Sequence, residues 1–281
     1  MSKVVFIADF FAHEIPGGGE LNNHELVQIL RKRGTDVLEI KSQNASPAFL
    51  QEQDDDTKFV VANFIGLTEA SKNILKSEKD YIIYEHDHKY VKTRNPANYE
   101  NFIAPKDHII NFDFYESAKA VLCQSDFHAG IVKSNLHLEN IRSVGGNLWS
   151  AQVLDFMYEI SKSEKQATCA VMNSDNWHKN TSDAVRLCKI KGWEYDLIPS
   201  LAYEDFLTRL GKSKKFVFLP KTPETLSRIV VEARMMGLSV ITNNLVGATK
   251  EEWFSLKGIE LINVMTEKRK QIPDLVEAVL K

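Results

Sequence analysis

Cysteine is scarce in this chain. Three residues in 281, Cys123, Cys169 and Cys188, all lie in apolar surroundings and none forms a C-x-x-C pair. That excludes a disulfide framework and a cysteine-built zinc site, and predicts reduced thiols buried in a core. No apolar run approaches the ~20 residues needed to span a bilayer, so no membrane span is expected. Charge of one sign is missing as well: 35 Lys and Arg stand against 38 Asp and Glu, a net charge of −3. Such a balance gives no global attraction to nucleic acid or anionic lipid, and leaves only local patches to consider. The opening MSKVVFIADF passes straight into a β-branched and aromatic run, with none of the features of a secretory leader. A cytoplasmic chain is therefore expected. What remains, 43% hydrophobic and 26% charged residues, is the make-up of a soluble globular protein long enough for two domains.

Short apolar runs alternate with helical patterns along nearly the whole length. KVVFIADF, TDVLEIK, TKFVVANF, DYIIYEHDH and AKAVLCQS read as buried strands, with ENIRSVG as a further candidate. Between the first two, Leu21, Leu26, Ile29 and Leu30 mark a helical stripe that stops at Gly34. The rhythm breaks over residues 148–166 at the Lys- and Ser-rich SKSEKQ. It then restarts with strands ATCAVMNS, WEYDLIP, KFVFLP and LSVITNN and the helices between them. A last strand, GIELINV, and a helix TEKRKQIPDLVEAVLK are expected at the end. Strands alternating with crossover helices predict parallel sheets. The expected fold is thus α/β, with two Rossmann-like domains, 1–150 and 151–281, facing a cleft. Open parallel sheets bind ligands beyond the carboxyl ends of their strands.

The stretch LPKTPETLSRIVVEARMMGLSVITNN holds Glu224 and Glu232 with seven residues between them. Pro223 suits a first helical turn, and a helix from Thr225 to Met236, closed by Gly237, is expected. Its amino end would offer unpaired N–H groups and partial positive charge to a phosphate. Two readings of Glu232 stand side by side. It sits on a narrow solvent stripe paired with Arg228 four residues earlier, or its two oxygens take the vicinal hydroxyls of a ribose. The glutamate pair, the Pro before it and the Ala, Gly and VIT after it resemble the signature of the retaining nucleotide-sugar glycosyltransferases of the GT-B fold, the group 1 type. PGGGELNNHELVQILRKRGTDV is similar to that family's amino-terminal stretch.

The resemblance implies a sugar transfer from a nucleoside-diphosphate sugar to an acceptor hydroxyl, with retention and without metal or other cofactor. The first domain would face the acceptor and the second the donor. Glu232 would hold the ribose and Glu224 border the transferred sugar. The amides near Thr225, Leu226 and Ser227 would take the diphosphate with Lys179. The family's arginine in that region has no counterpart here, since Asn173 and Ser174 stand there, and Arg228 is the candidate to compensate. Pro199, Ser200 and Leu201 would border the base. Gly18 and Gly19, in a run of three glycines without G-x-G-x-x-G spacing, form either a plain flexible loop or one that lets a ligand approach the backbone. His86 is the first choice and His88 the second for a histidine beside the sugar. Those two histidines, with Glu85 and Asp87, also spell a metal cluster, but no third group at characteristic spacing supports one. Asp54 and Asp56 spell D-x-D in a polar run ahead of a strand, the wrong place for a metal-dependent transferase. The acceptor is left as a glycan, a small molecule or nucleic acid. The segment HKYVKTRNPANYENF mixes Lys89, Lys92 and Arg94 with Tyr90, Tyr99 and Phe102. It reads as a solvated loop or as the lining of a polyanion site. Rival functions are a nucleotide-sugar epimerase or phosphorylase on the same scaffold, and a binding module without catalysis.

Overall fold

The computed structural model describes residues 3–281. It divides into two units, one ending at Leu148 and taking back Lys268–Lys281, the other running from Trp149 to Glu267. The first holds β1 (Lys3–Ala8), α1 (Gly18–Lys32), β2 (Asp36–Lys41), α2 (Pro47–Gln51), β3 (Lys58–Val61) and α3 (Glu69–Glu78). It continues with β4 (Asp80–Glu85), α4 (Phe112–Glu116), β5 (Val121–Cys123), α5 (Asp126–Leu136) and β6 (Ile141–Ser143). The second holds α6 (Ala151–Lys162), β7 (Gln166–Met172), α7 (Thr181–Ile190), β8 (Tyr195–Ile198) and α8 (Tyr203–Leu210). After these come β9 (Ser213–Phe218), α9 (Arg228–Met235), β10 (Ser239–Thr242) and α10 (Ile259–Leu280), whose second half belongs to the first unit.

Both sheets are wholly parallel. The first has the order β2-β1-β3-β4-β5-β6 and the second β10-β9-β7-β8. The strand order reverses between β1 and β3 in one, and between β7 and β9 in the other. At such a reversal the crossovers leave in opposite directions, and a crevice opens beyond the carboxyl ends of the strands. Layers of apolar side chains fill both faces of the first sheet, Val5, Ile7, Phe59 and Ile83 on one and Val4, Phe6, Val60 and Ile82 on the other. This accounts for the continuous apolar runs in the sequence.

Three sequence expectations need correction. The strand expected at GIELINV is the first half of α10: Leu261, Ile262 and Met265 are buried together at helical spacing. The tail of α10 packs on the first unit, not on a domain spanning 151–281, because Ile272, Val276 and Leu280 join the core of Val4, Phe6 and Leu30. Arg33 reinforces this with contacts to Asp274 at 2.8 Å and Glu277 at 3.0 Å. Finally, the helix expected from Thr225 begins only at Arg228. Glu224 instead bridges Val246, with its N–H donating to Leu245 at 2.8 Å and its carbonyl accepting from Gly247 at 2.9 Å. Pro223, Thr225 and Leu226 therefore lie before the helix, in irregular backbone. Gly237 ends α9 as expected: at φ +89° it allows Leu238 N–H to reach back to Ala233 at 2.9 Å.

Candidate functional site

The reversal point of the second sheet brings two candidate residues together. Lys179 follows β7 and Glu224 follows β9, and their side chains form an ion pair of 2.8 Å. The two loops are also joined through backbone: Asn180 Nδ2 donates to Leu219 O at 2.8 Å, and Lys221 N to His178 O at 2.9 Å. A cation and a carboxylate thus stand where a parallel sheet presents ligands. Ser227 caps α9 from a left-handed conformation (φ 73°), its carbonyl accepting from Val230 and Val231. Its Oγ is buried and has no hydrogen-bond partner. A buried hydroxyl left unmatched costs about 1–3 kcal/mol, so a polar ligand at this helix end would recover what folding gives up. Leu226 is fully buried, which leaves only its backbone for any ligand.

Glu232 is 3% exposed, so it lies on no solvent stripe. Trp149 Nε1 donates to its Oε1 at 2.9 Å and Tyr203 Oη at 2.7 Å, while Arg228 Nε stands 3.6 Å away. The Arg228 guanidinium also lies 4.3 Å over the Trp149 ring. All three contacts fall on Oε1, and Oε2 takes none of them. One oxygen is therefore anchored by the protein and one is left, not two available for a diol. Burial and the adjacent carboxylate raise the Tyr203 pKa, keeping its hydroxyl a donor. We expect Glu232→Ala to lower the stability of the second unit by about 1–3 kcal/mol for each orphaned donor. Glu232→Gln, which keeps an acceptor for Trp149 and Tyr203, should cost clearly less. Urea unfolding of the two variants side by side checks this.

Pro199, Ser200 and Leu201 form the loop between β8 and α8, with Ser200 and Leu201 exposed. Tyr203 opens the helix that follows, so this loop and Glu232 are tied by one side chain. Sequence reading missed both Tyr203 and Trp149. The only signal was an aromatic directly beyond the SLA segment and another at the domain boundary.

In the first unit the glycines are not a loop. Gly18 and Gly19 are the first two residues of α1, with Gly17 as its cap. A Cβ on Gly19 would stand 3.4 Å from the His86 ring, and one on Gly17 would collide with the Glu20 carboxylate. Burial raises the pKa of that carboxylate. His86 follows β4 and is partly buried. Its Nε2 faces Asn23 Oδ1 at 2.5 Å and its Nδ1 accepts from Gln124 Nε2, which assigns the proton to Nε2. Both ring nitrogens are engaged, which fixes the orientation of the His86 ring and its tautomer. His88 does not serve as an alternative: it is 4% exposed, bonded to Tyr90 Oη at 3.0 Å and set edge-on to His128. Burial holds His88 well below its usual pKa and brings His128 down to about 4. The two sequence histidines thus diverge. Among the described residues no group of three or more His, Cys, Asp or Glu side chains is placed to hold a metal ion.

Behind His86 lies a buried charge cluster. Lys89 Nζ reaches Glu85 Oε1 at 2.7 Å and Asp87 Oδ1 at 2.5 Å, and Tyr115 donates to Glu85 Oε2. Burial raises Glu85 to about 7 against the pull of Lys89. Lys89 is driven up by its two carboxylates despite burial, and Asp87 is held below the usual range by Lys89. Tyr90 is wholly buried, which removes it and Lys89 from any nucleic-acid-stacking surface.

No protein-family profile matches the chain, and no curated protein matches its sequence. Solved structures do match its fold. HepE of Anabaena, solved with UDP-glucose, aligns over 99% of this chain and 94% of its own, at 12% identity and TM-score 0.54. A glycosyltransferase from Rickettsia africae aligns over 99% and 93%, at 12% identity and TM-score 0.55. An α-glucosyltransferase solved with UDP and a 13-mer DNA aligns over 97% and 90%, at 12% identity and TM-score 0.52. At this identity the likeness establishes the fold: α/β, with two Rossmann-like domains of the GT-B class.

Proposed function

We propose that the chain is a glycosyltransferase that moves a sugar from a nucleoside-diphosphate donor to an acceptor hydroxyl, with retention and without metal. The observation that carries this reading is the reversal point of the second sheet. There the Lys179–Glu224 pair follows β7 and β9, ahead of an α9 that carries the half-anchored carboxylate Glu232. Lys179 and the α9 amino end, with the unmatched Ser227 hydroxyl, would neutralise the leaving diphosphate. Glu224 would border the sugar, Glu232 Oε2 would accept from a ribose hydroxyl, and the Pro199–Leu201 backbone would border the base. Structural neighbours bound to UDP or UDP-glucose support this assignment of donor class. Three free, buried cysteines support a cytoplasmic setting. No described helix is long and apolar enough to cross a membrane.

Arg228 favours a second reading, that the domain binds a nucleotide sugar without turning it over. Its guanidinium is committed to Trp149 and Glu232, which leaves the position of the missing arginine uncompensated.

The test is incubation with UDP-, GDP-, ADP- and TDP-sugars in EDTA, following slow hydrolysis of the donor by proton NMR. A retaining enzyme releases one nucleoside diphosphate and the sugar as its original anomer first. Release of the opposite anomer defeats retention. Binding without release selects the second reading, and conversion to an epimeric nucleotide sugar selects an epimerase.

A further inference from the structure

The first domain has a cavity of about 650 Å³ that the donor reading does not use. Its walls come from the segments after β3 and β4 and from α3 and α4, at the carboxyl edge of the sheet, where open parallel sheets take ligands. Its volume is that of a small-molecule site.

The lining is strongly cationic. Lys72 is ion-paired within the wall with Glu69 Oε1 at 2.7 Å and donates to Asn111 Oδ1 at 2.7 Å, and Lys89 is paired with Glu85 and Asp87 behind it. Among the described residues no ion pair engages Lys76, Lys92 or Arg94, which also line the cavity. Asp113 is the only lining carboxylate outside a pair. Three unpaired cations facing one carboxylate leave an excess of two positive charges at the lining when Glu85, raised to about 7, is protonated behind it, and of one when it is not. Beside them, Ile65 and Phe112 are 59% and 37% exposed, an apolar surface within a charged rim. Arg94 holds a left-handed backbone (φ 53°), which costs a residue with a Cβ about 1–2 kcal/mol. Such strain is tolerated most often where a side chain must be aimed.

We propose that this cavity binds a small organic phosphate, its dianionic head on Lys76, Lys92 and Arg94 and its apolar part against Ile65 and Phe112. A phosphate monoester matches this excess of positive charge. Within the glycosyltransferase reading it would be the acceptor, and that role alone rests on the reading; the binding does not. A cavity closed by α3 on one side suits a compact molecule better than a nucleic-acid strand tracking along a groove.

The test uses the full chain and phenyl phosphate, with benzyl alcohol as the uncharged counterpart, titrated by calorimetry at low salt. The expected result is binding of phenyl phosphate at least tenfold tighter than benzyl alcohol. It should weaken at least tenfold in the Lys76→Ala/Lys92→Ala/Arg94→Ala variant and separately in Phe112→Ala. Equal binding of the two probes, or binding indifferent to the triple variant, overturns the proposal. So does tight, triple-sensitive binding of an oligonucleotide when phenyl phosphate does not bind. A parallel UDP titration of the triple variant separates the two claims: retained UDP binding with lost phenyl phosphate binding supports the cavity, whatever becomes of the donor site.

Discussion

Replacing Lys89 with methionine is expected to lower the stability of the first domain by about 3–5 kcal/mol at pH 8. Lys89 is 2% exposed and Glu85 fully buried, and Lys89 is the cation that balances both Glu85 and Asp87. Removing it strands a carboxylate in the core. The penalty should shrink at lower pH, since a buried acid without a partner takes up a proton instead of staying charged. The wild type already leans that way. Glu85, raised from 4.5 to about 7, binds more protons folded than unfolded in that window. Its contribution to stability is complete below about pH 4.5 and is lost as pH rises through 7. Asp87, held low, acts oppositely: its contribution is present above its ordinary value of 3.8 and fades as pH falls below it. Urea unfolding midpoints from pH 5 to 8 for wild type, Lys89→Met, Lys89→Met/Glu85→Gln and Glu85→Gln should differ as follows. The single variant loses most at pH 8, and the double recovers much of that loss. Glu85→Gln alone should flatten the decline between pH 5 and 8. A Lys89→Met penalty independent of pH would mean that the cluster is not governed by Glu85.

The second large effect follows from the sugar transfer proposed above. Lys179→Ala should reduce turnover by roughly 10²–10³-fold, the size of effect seen when one preorganised donor to a developing negative charge is removed. Stability should barely change. Lys179 is 30% exposed and its pair with Glu224 is partly solvated, so the pair is worth at most about 1 kcal/mol. Turnover at saturating donor, measured beside the unfolding midpoint, separates the roles. A large stability loss with proportionate loss of activity would make the pair structural.

The alternation of apolar runs and helical stripes revealed two α/β halves because buried parallel strands are apolar on both faces. It misplaced what depends on pairing partners far along the chain. Nothing near Glu224 says that its backbone will bridge Val246 and so delay α9 to Arg228. GIELINV carries β-branched residues within a helical stripe, and a short apolar run does not reveal which period it follows. At the site, the order of strands brings Lys179 and Glu224 together, and the resemblance to the transferase family suggested both. The environment of Glu232 was not legible. Its donors lie 83 residues away at Trp149 and 29 away at Tyr203, and local helix spacing shows only Arg228. The pairing of His86 with Asn23 and Gln124 is hidden for the same reason.

The most direct measurement is thermal stability with UDP, GDP, ADP and TDP in EDTA, for wild type and Glu232→Gln. A ligand bound only by the folded state adds about 2.7 kcal/mol at a hundredfold excess over Kd. The predicted result is a rise with one nucleotide that is markedly smaller in the variant, since a neutral amide replaces the charged oxygen proposed to face the ribose. No rise with any of the four, or an equal rise in both proteins, would contradict the assignment of Glu232 to a nucleoside-diphosphate donor.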